Sequence, residues 1–250
     1  MDRTEYVAAL EREGKLLVGA AAGSNLDTPI PTCPGWDMRT LVRHVGTAHR
    51  WATEHVAGPQ AEDGDGARGE LGPRWPEDAR LVEWLRHGHA SLVSALAAAD
   101  PDLECWTFLP APTPLLFWAR RQTHETGIHR VDAENATGPV TPFDSRVALD
   151  GIEEMLFGFA RRSGRQLSTA ESRTLLLEPI DARARWFVRL DPDGIAAQRT
   201  RAPEADCTVR GTASALHVLL WNRSSREELD VDGDVRVLDL WRDSVRVRWD

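Results

Sequence analysis

Arg121-Gln-Thr-His-Glu-Thr-Gly-Ile-His-Arg-Val-Asp132 is the stretch on which the reading of this chain turns. It reads as one helix that carries a carboxylate and an imidazole four positions apart. On an α-helix Glu125 and His129 project from one face, one turn apart. Such a pair offers two ligands to a divalent metal, provided that a third arrives from another helix. The zincin spacing H-E-x-x-H is missed by one residue. His124 and His129 are five apart, roughly 140° around the helix, and cannot share an ion. A protease reading fails on that spacing, and the third ligand has to come from elsewhere in the chain.

The chain has 250 residues, 42% of them hydrophobic and 28% charged, enough for one large or two modest domains with real cores. Its net charge of −9 argues against nucleic acid, which calls for a basic face. Lys15 is the only lysine, and arginine carries nearly all the positive charge. Cys33, Cys105 and Cys207 are scattered and odd in number, which fits a reducing cytoplasm and not a disulfide framework. The first residues enter a charged helical pattern with no signal peptide, and no apolar run approaches the roughly 20 residues of a membrane span.

Taken in order, residues 2 to 23 form an amphipathic pattern with Tyr6, Val7, Leu10, Leu16 and Leu17, closed by Gly23. Thr28 to Trp36 is too proline-rich for a helix or a central strand. Asp37 is placed as the N-cap of a second helix from Met38 to about His55, with Trp36 and Leu41 as its hydrophobic staple. His44 is assigned to the inward stripe of that helix and His49 is not. Residues 58 to 74 form a polar, glycine-rich connection. A third helix runs from about Glu77 to Ala99, and a fourth, from Leu115 to about Ala136, holds the opening stretch. A fifth covers Ser145 to Ser163. After Gly164 short apolar runs of strand type appear, at Arg173–Glu178, Arg185–Leu190 and Asp206–Arg210, with a turn at Asp191-Pro-Asp-Gly194. A helix follows from Gly211 to Arg223, and the alternation in Ser244–Trp249 reads as a half-buried strand. The expected architecture is α + α/β: a four-helix bundle over residues 1–163, then a smaller α/β domain over 164–250.

A bundle can hold a metal in its interior. His44 on the second helix and Glu125 and His129 on the fourth make a His₂Glu set, which leaves one position open for water or substrate. Asp132, one turn past His129, is placed to orient its imidazole. Arg121, one turn before Glu125, is placed to pair with the carboxylate, either competing with a metal or serving an anionic substrate. The residue types fit equally an interhelical polar contact between His44 and Glu125 with no metal.

Three motifs carry a family resemblance. Thr32-Cys-Pro-Gly-Trp-Asp-Met-Arg-Thr-Leu-Val-Arg-His44, the Glu125…His129…Asp132 helix, and Leu219-Leu-Trp-Asn-Arg223 followed by Val231-Asp-Gly-Asp234 resemble the mycothiol-dependent maleylpyruvate isomerase family. The likeness implies a DinB/YfiT-like metal-binding bundle followed by a sterol-carrier-like domain. It implies a divalent metal, zinc above all, on His44, Glu125 and His129, with mycothiol as the thiol that the metal deprotonates. In the isomerase the thiolate adds to a conjugated cis double bond, and elimination after rotation gives the trans product; other members are expected to be thiol S-transferases. Arg223 is the arginine that the likeness assigns to a carboxylated small-molecule electrophile. No nucleic-acid or membrane partner is expected, and the chain is expected to be a monomer or homodimer. A different class of function also fits the residues: a non-catalytic metal-binding sensor, or a module that binds a lipid or small ligand.

Overall fold

The computed structural model describes residues 1–57, 75–163, 169, 171–200, 204–224 and 229–245. The glycine-rich connection expected at 58–74 lies outside the described residues. The contacts divide the chain into two compact units, Met1–Thr141 and Pro142–Asp250.

The first unit holds four helices, α1 (Arg3–Ala22), α2 (Met38–Ala57), α3 (Asp78–Ala98) and α4 (Pro114–Thr137). Each begins where local chemistry dictates. Asp2 and Glu5 close a capping box on α1. Asp37 Oδ1 accepts from the backbone N–H and the hydroxyl of Thr40 at the start of α2. Thr113 caps α4, with Pro114 at its first turn. α1 packs along α4 and α2 along α3, with α2 also against α4. Leu17, Met38, Leu41, Val45, Leu81 and Leu85 form the shared core, each essentially excluded from solvent and each worth about 1.5–3 kcal/mol of burial. Gly46 lets the Trp84 ring sit where a Cβ would be, 2.1 Å away, so α2 and α3 approach closely.

α4 departs from the amphipathic pattern. From Thr123 to Ala133 every residue is buried, polar ones included. Several of these polar groups are matched inside. Thr123 donates to the Tyr6 and Ala119 carbonyls. Arg130 reaches Glu13 and Glu134, each at 2.8 Å.

In the second unit α5 (Ser145–Glu153) passes through a π-helical turn (Glu154–Phe159) into α6 (Ala160–Ser163). A five-stranded sheet follows, in the order β3-β2-β1-β4-β5. Its strands are β1 (Arg173–Pro179), β2 (Trp186–Asp191), β3 (Gly194–Arg199), β4 (Cys207–Gly211) and β5 (Asp230–Gly233), with helices α7 (Ala213–Leu220) and α8 (Arg236–Ser244). β1 pairs antiparallel with β2 and parallel with β4; the other pairs are antiparallel. Leu175 opposite Val188, and Leu177 opposite Trp186, put their side chains into the core.

The chain is thus helical first and mixed α/β after, as its patterning predicts. Three expectations need correction. The contacts place the boundary at 141/142 and not at 163/164. α5 packs on α7, where Gly151 gives up its Cβ space to the His217 ring at 2.3 Å, so the fifth helix belongs to the second unit. Neither β3 nor β5 was foreseen. β3 is weakly patterned, and it forms because the turn at Pro192–Asp193, closed by Gly194 at φ 150°, folds it onto β2. The strand expected at Ser244–Trp249 begins inside α8, whose Val237, Leu238 and Trp241 share a buried face; residues 246–250 lie outside the described residues.

Candidate metal centre

The proline-rich segment between α1 and α2 builds one wall of the site. Its backbone closes on itself: Ile30 N donates to Trp36 O, Cys33 N to Ile30 O, Trp36 N to Cys33 O, and Met38 N to Thr28 O. Gly35 takes φ +87°, which a residue with a Cβ would adopt only under strain. The segment ends at the α2 cap, which fixes where His44 emerges two turns later.

Across from it, α4 presents Glu125 and His129 one turn apart. His44 Nε2 lies 3.2 Å and His129 Nε2 3.3 Å from the same oxygen, Glu125 Oε1. One donor atom from each of His44, Glu125 and His129 falls within 4.8 Å of the other two. Bonds of 2.0–2.1 Å at a tetrahedral angle give ligand atoms about 3.3 Å apart, so two of the three edges have the spacing of a zinc site. The other carboxylate oxygen, Oε2, accepts from Arg121 Nη2 at 2.9 Å. Arg121 therefore does not compete for the oxygen that faces the two imidazoles. It neutralises the carboxylate from the far side.

The His129 ring is held at its other nitrogen. Nδ1 and Asp132 Oδ2 are 2.8 Å apart, which leaves Nε2 to face Glu125 and His44. Trp36 stacks on His129 at 5.9 Å with 17° between the planes, and its ring centre lies 5.0 Å from that of His44. The charges reinforce one another. Burial pushes the Glu125 carboxyl up, but hydrogen bonds from His129 and His44, with the charges of His129 and Arg121, outweigh it and hold it well below the usual carboxylate range. Burial pushes His129 down, but hydrogen bonds to Asp132 and Glu125 and their charges drive it up to about 9. Two carboxylates around one imidazole favour a cation at Nε2, whether a proton or a metal. The donor set, two of the three edge lengths and the held Nδ1 suit a divalent ion.

Other expected residues stand elsewhere. His124 is fully buried but is not in the cluster. His49, set aside as off the inward stripe, is completely buried. It sits 2.8 Å from Thr126 Oγ1 with its ring against His89, because α2 packs against both α3 and α4 and has no single inward face. Arg223 lies in the second unit just after Asn222, whose φ of 60° ends α7; its guanidinium donates to Trp221 O at 2.9 Å. The sequence reading took Trp36 as a helix staple and Cys33 as one of three scattered cysteines. Both touch the site, and so does Thr32. The signals for this were their place just before the helix that carries His44 and their presence in the family motif that runs from Thr32 to His44.

The profile described as the mycothiol maleylpyruvate isomerase N-terminal domain matches residues 7–134, and that described as the MDMPI C-terminal domain matches residues 146–240. The chain belongs to the mycothiol maleylpyruvate isomerase family. That is a family of enzymes, isomerases that depend on mycothiol. The fold agrees with this membership. A crystal structure of the mycothiol-dependent maleylpyruvate isomerase is similar over 94% of this chain and 95% of that one, at 13% identity and a TM-score of 0.62. A structure of a histidine-to-alanine variant of that isomerase gives the same figures. A ubiquinone synthesis protein described as UbiJ-SCP2 covers 42% of this chain at 26% identity, with a TM-score of 0.28. Comparison with curated proteins gives no match. No described helix is long and apolar enough to cross a membrane.

Proposed function

We propose that this member of the family is a mycothiol-dependent isomerase that works on a small carboxylated electrophile of the maleylpyruvate type, at a divalent metal held by His44, Glu125 and His129. One observation carries the reading: three side chains of metal-ligand type, from two helices, converge with one carboxylate oxygen 3.2 and 3.3 Å from two imidazole nitrogens. A divalent ion there would supply the positive charge that keeps a thiol deprotonated at neutral pH.

The residues around that position have separable tasks. Glu125 offers Oε1 while Arg121 holds Oε2. Asp132 accepts from His129 Nδ1 and so presents Nε2 as the ligand atom. Trp36 lies against both imidazoles and limits water on that side. With a divalent ion, the formal charges of Arg121, Glu125 and Asp132 bring the cluster to a net of about +1, which favours an anionic fourth ligand. Arg223 is assigned to the substrate carboxylate, a planar anion that a guanidinium grips with two parallel hydrogen bonds.

The test uses the whole chain loaded with cobalt in place of zinc. Adding mycothiol should change the visible cobalt spectrum, and the loaded protein should then isomerise maleylpyruvate. A spectrum that mycothiol leaves untouched would remove the thiol from the proposal. Arg223→Ala should raise KM for the carboxylated substrate with little effect on the mycothiol-induced spectrum.

A further inference from the structure

The segment before α2 does more than start a helix. Thr32 Oγ1 donates to Asp132 Oδ1 at 2.5 Å, and the Cys33 thiol donates to Asp132 Oδ2 at 3.3 Å. Asp132 is completely buried, and the same Oδ2 is the oxygen that faces His129 Nδ1 at 2.8 Å. The donors Thr32 and Cys33 are about a hundred residues from Asp132 in the chain, so this contact exists only in the folded bundle.

A buried carboxylate needs donors. It also has a broad terminal torsion that packing alone fixes poorly. With His129 as its one partner, Asp132 would be free to swing about that torsion and carry the imidazole with it. A donor on each oxygen sets the plane of the carboxylate. The segment that supplies these donors is stiff. It has prolines at 29, 31 and 34, closes on itself through backbone hydrogen bonds, and leads directly into the helix that bears His44. It also lays Trp36 on both imidazoles.

We infer that Thr32 and Cys33 are positioning residues for the metal centre: their hydroxyl and thiol lock the Asp132 carboxylate, and through it the His129 imidazole, in the orientation that a metal requires. This rests on the reading of His44, Glu125 and His129 as a metal site. It assigns the Thr32–Trp36 segment the task of coupling the ligand on α2 to those on α4. Outer partners of metal ligands typically change affinity by about 10- to 100-fold, and a residue one step further out belongs at the low end of that range.

The experiment measures zinc dissociation constants by chelator competition, and cobalt spectra, for the wild type, Thr32→Val, Thr32→Ser and Cys33→Ala. Thr32→Val keeps the shape and removes the donor; it should bind zinc about tenfold more weakly and alter the cobalt band. Thr32→Ser keeps the donor and should restore both to within about twofold. Cys33→Ala, removing the longer and weaker hydrogen bond, should cost about threefold and serves as the measurement if Thr32→Val does not fold. Thr32→Val binding zinc as tightly as the wild type with an unchanged cobalt band would overturn the inference and leave the metal reading standing. So would Thr32→Ser as weak as Thr32→Val, since packing and not the hydroxyl would then be responsible. A wild type that takes up neither metal would overturn the metal reading itself, and this inference with it.

Discussion

Glu125→Gln separates a metal centre from a simple polar contact between helices. Glu125 is buried, with one oxygen on Arg121 and the other facing two imidazoles. In the metal-free protein the substitution removes the anion from a buried ion pair while keeping its shape. Breaking such a pair costs about 3–5 kcal/mol; the amide still offers one acceptor, so the lower figure applies. Unfolding entropy of about 2.1 cal/mol/K per residue, over the 141 residues of the first unit, gives about 0.3 kcal/mol per degree. The metal-free Tm should therefore fall by about 10 °C. Zinc at a thousand times its dissociation constant adds about 4 kcal/mol to the wild type, a rise of about 14 °C. If losing the charged ligand weakens zinc a hundredfold, the same concentration adds about 1.4 kcal/mol, and the rise shrinks to about 5 °C. Calorimetry of both proteins, with and without zinc, reads all four numbers. Equal zinc-induced rises in the two proteins would falsify Glu125 as a ligand. A wild type that zinc does not stabilise, beside a variant that still loses 10 °C, would show the cluster to be a polar contact alone.

Two further predictions concern the interior that supports the site. Arg130 is fully buried between Glu13 and Glu134, so Arg130→Met should destabilise the protein by about 3 kcal/mol or more. The double variant with Glu13→Gln should lose less than the sum of the two single losses in urea unfolding; strict additivity would show that the pair is not coupled. Acid should also weaken the bundle. Burial first, then the charge of His89, holds His49 well below its ordinary value, and burial holds His89 down as well. A histidine with a lowered folded value contributes stability that is complete above about pH 6.5 and is lost as pH falls towards the folded value. The loss for each group approaches at most about 1.4 kcal/mol per pH unit, and only between its unfolded and folded values. The urea midpoint should drop between pH 6.5 and 5.5, and His49→Gln should flatten that drop; an unchanged slope would remove His49 as its source.

Much of the fold was legible in the chain. α1 to α3 follow from apolar spacing, and α2 also from its Asp37 cap, which acts within three residues of itself; α4, buried on every side, was legible through its Glu125 and His129 spacing instead. The shift from helical to strand patterning after residue 164 marks the sheet. The weak edge strand β3 escaped, because its pairing with β2, and not its own composition, makes it a strand. The division at Thr141 also escaped, since the partner of α5 lies some seventy residues further along the chain.

At the site, the sequence by itself determined that Glu125 and His129 share a face, that His124 cannot join them, and that Asp132 and Arg121 lie one turn to either side. These are consequences of helical period and need no partner. Only the tertiary structure decided that Arg121 takes one oxygen of Glu125 and leaves the other to His44 and His129. It alone showed that His49 is as deeply buried as any core residue, and that Thr32 and Cys33 reach Asp132. The physical reason is the same in each case. Periodicity states which residues of one helix point together, but α2 and α4 each face more than one neighbour. Which polar side chains meet is then settled by how the helices and the segment before α2 pack.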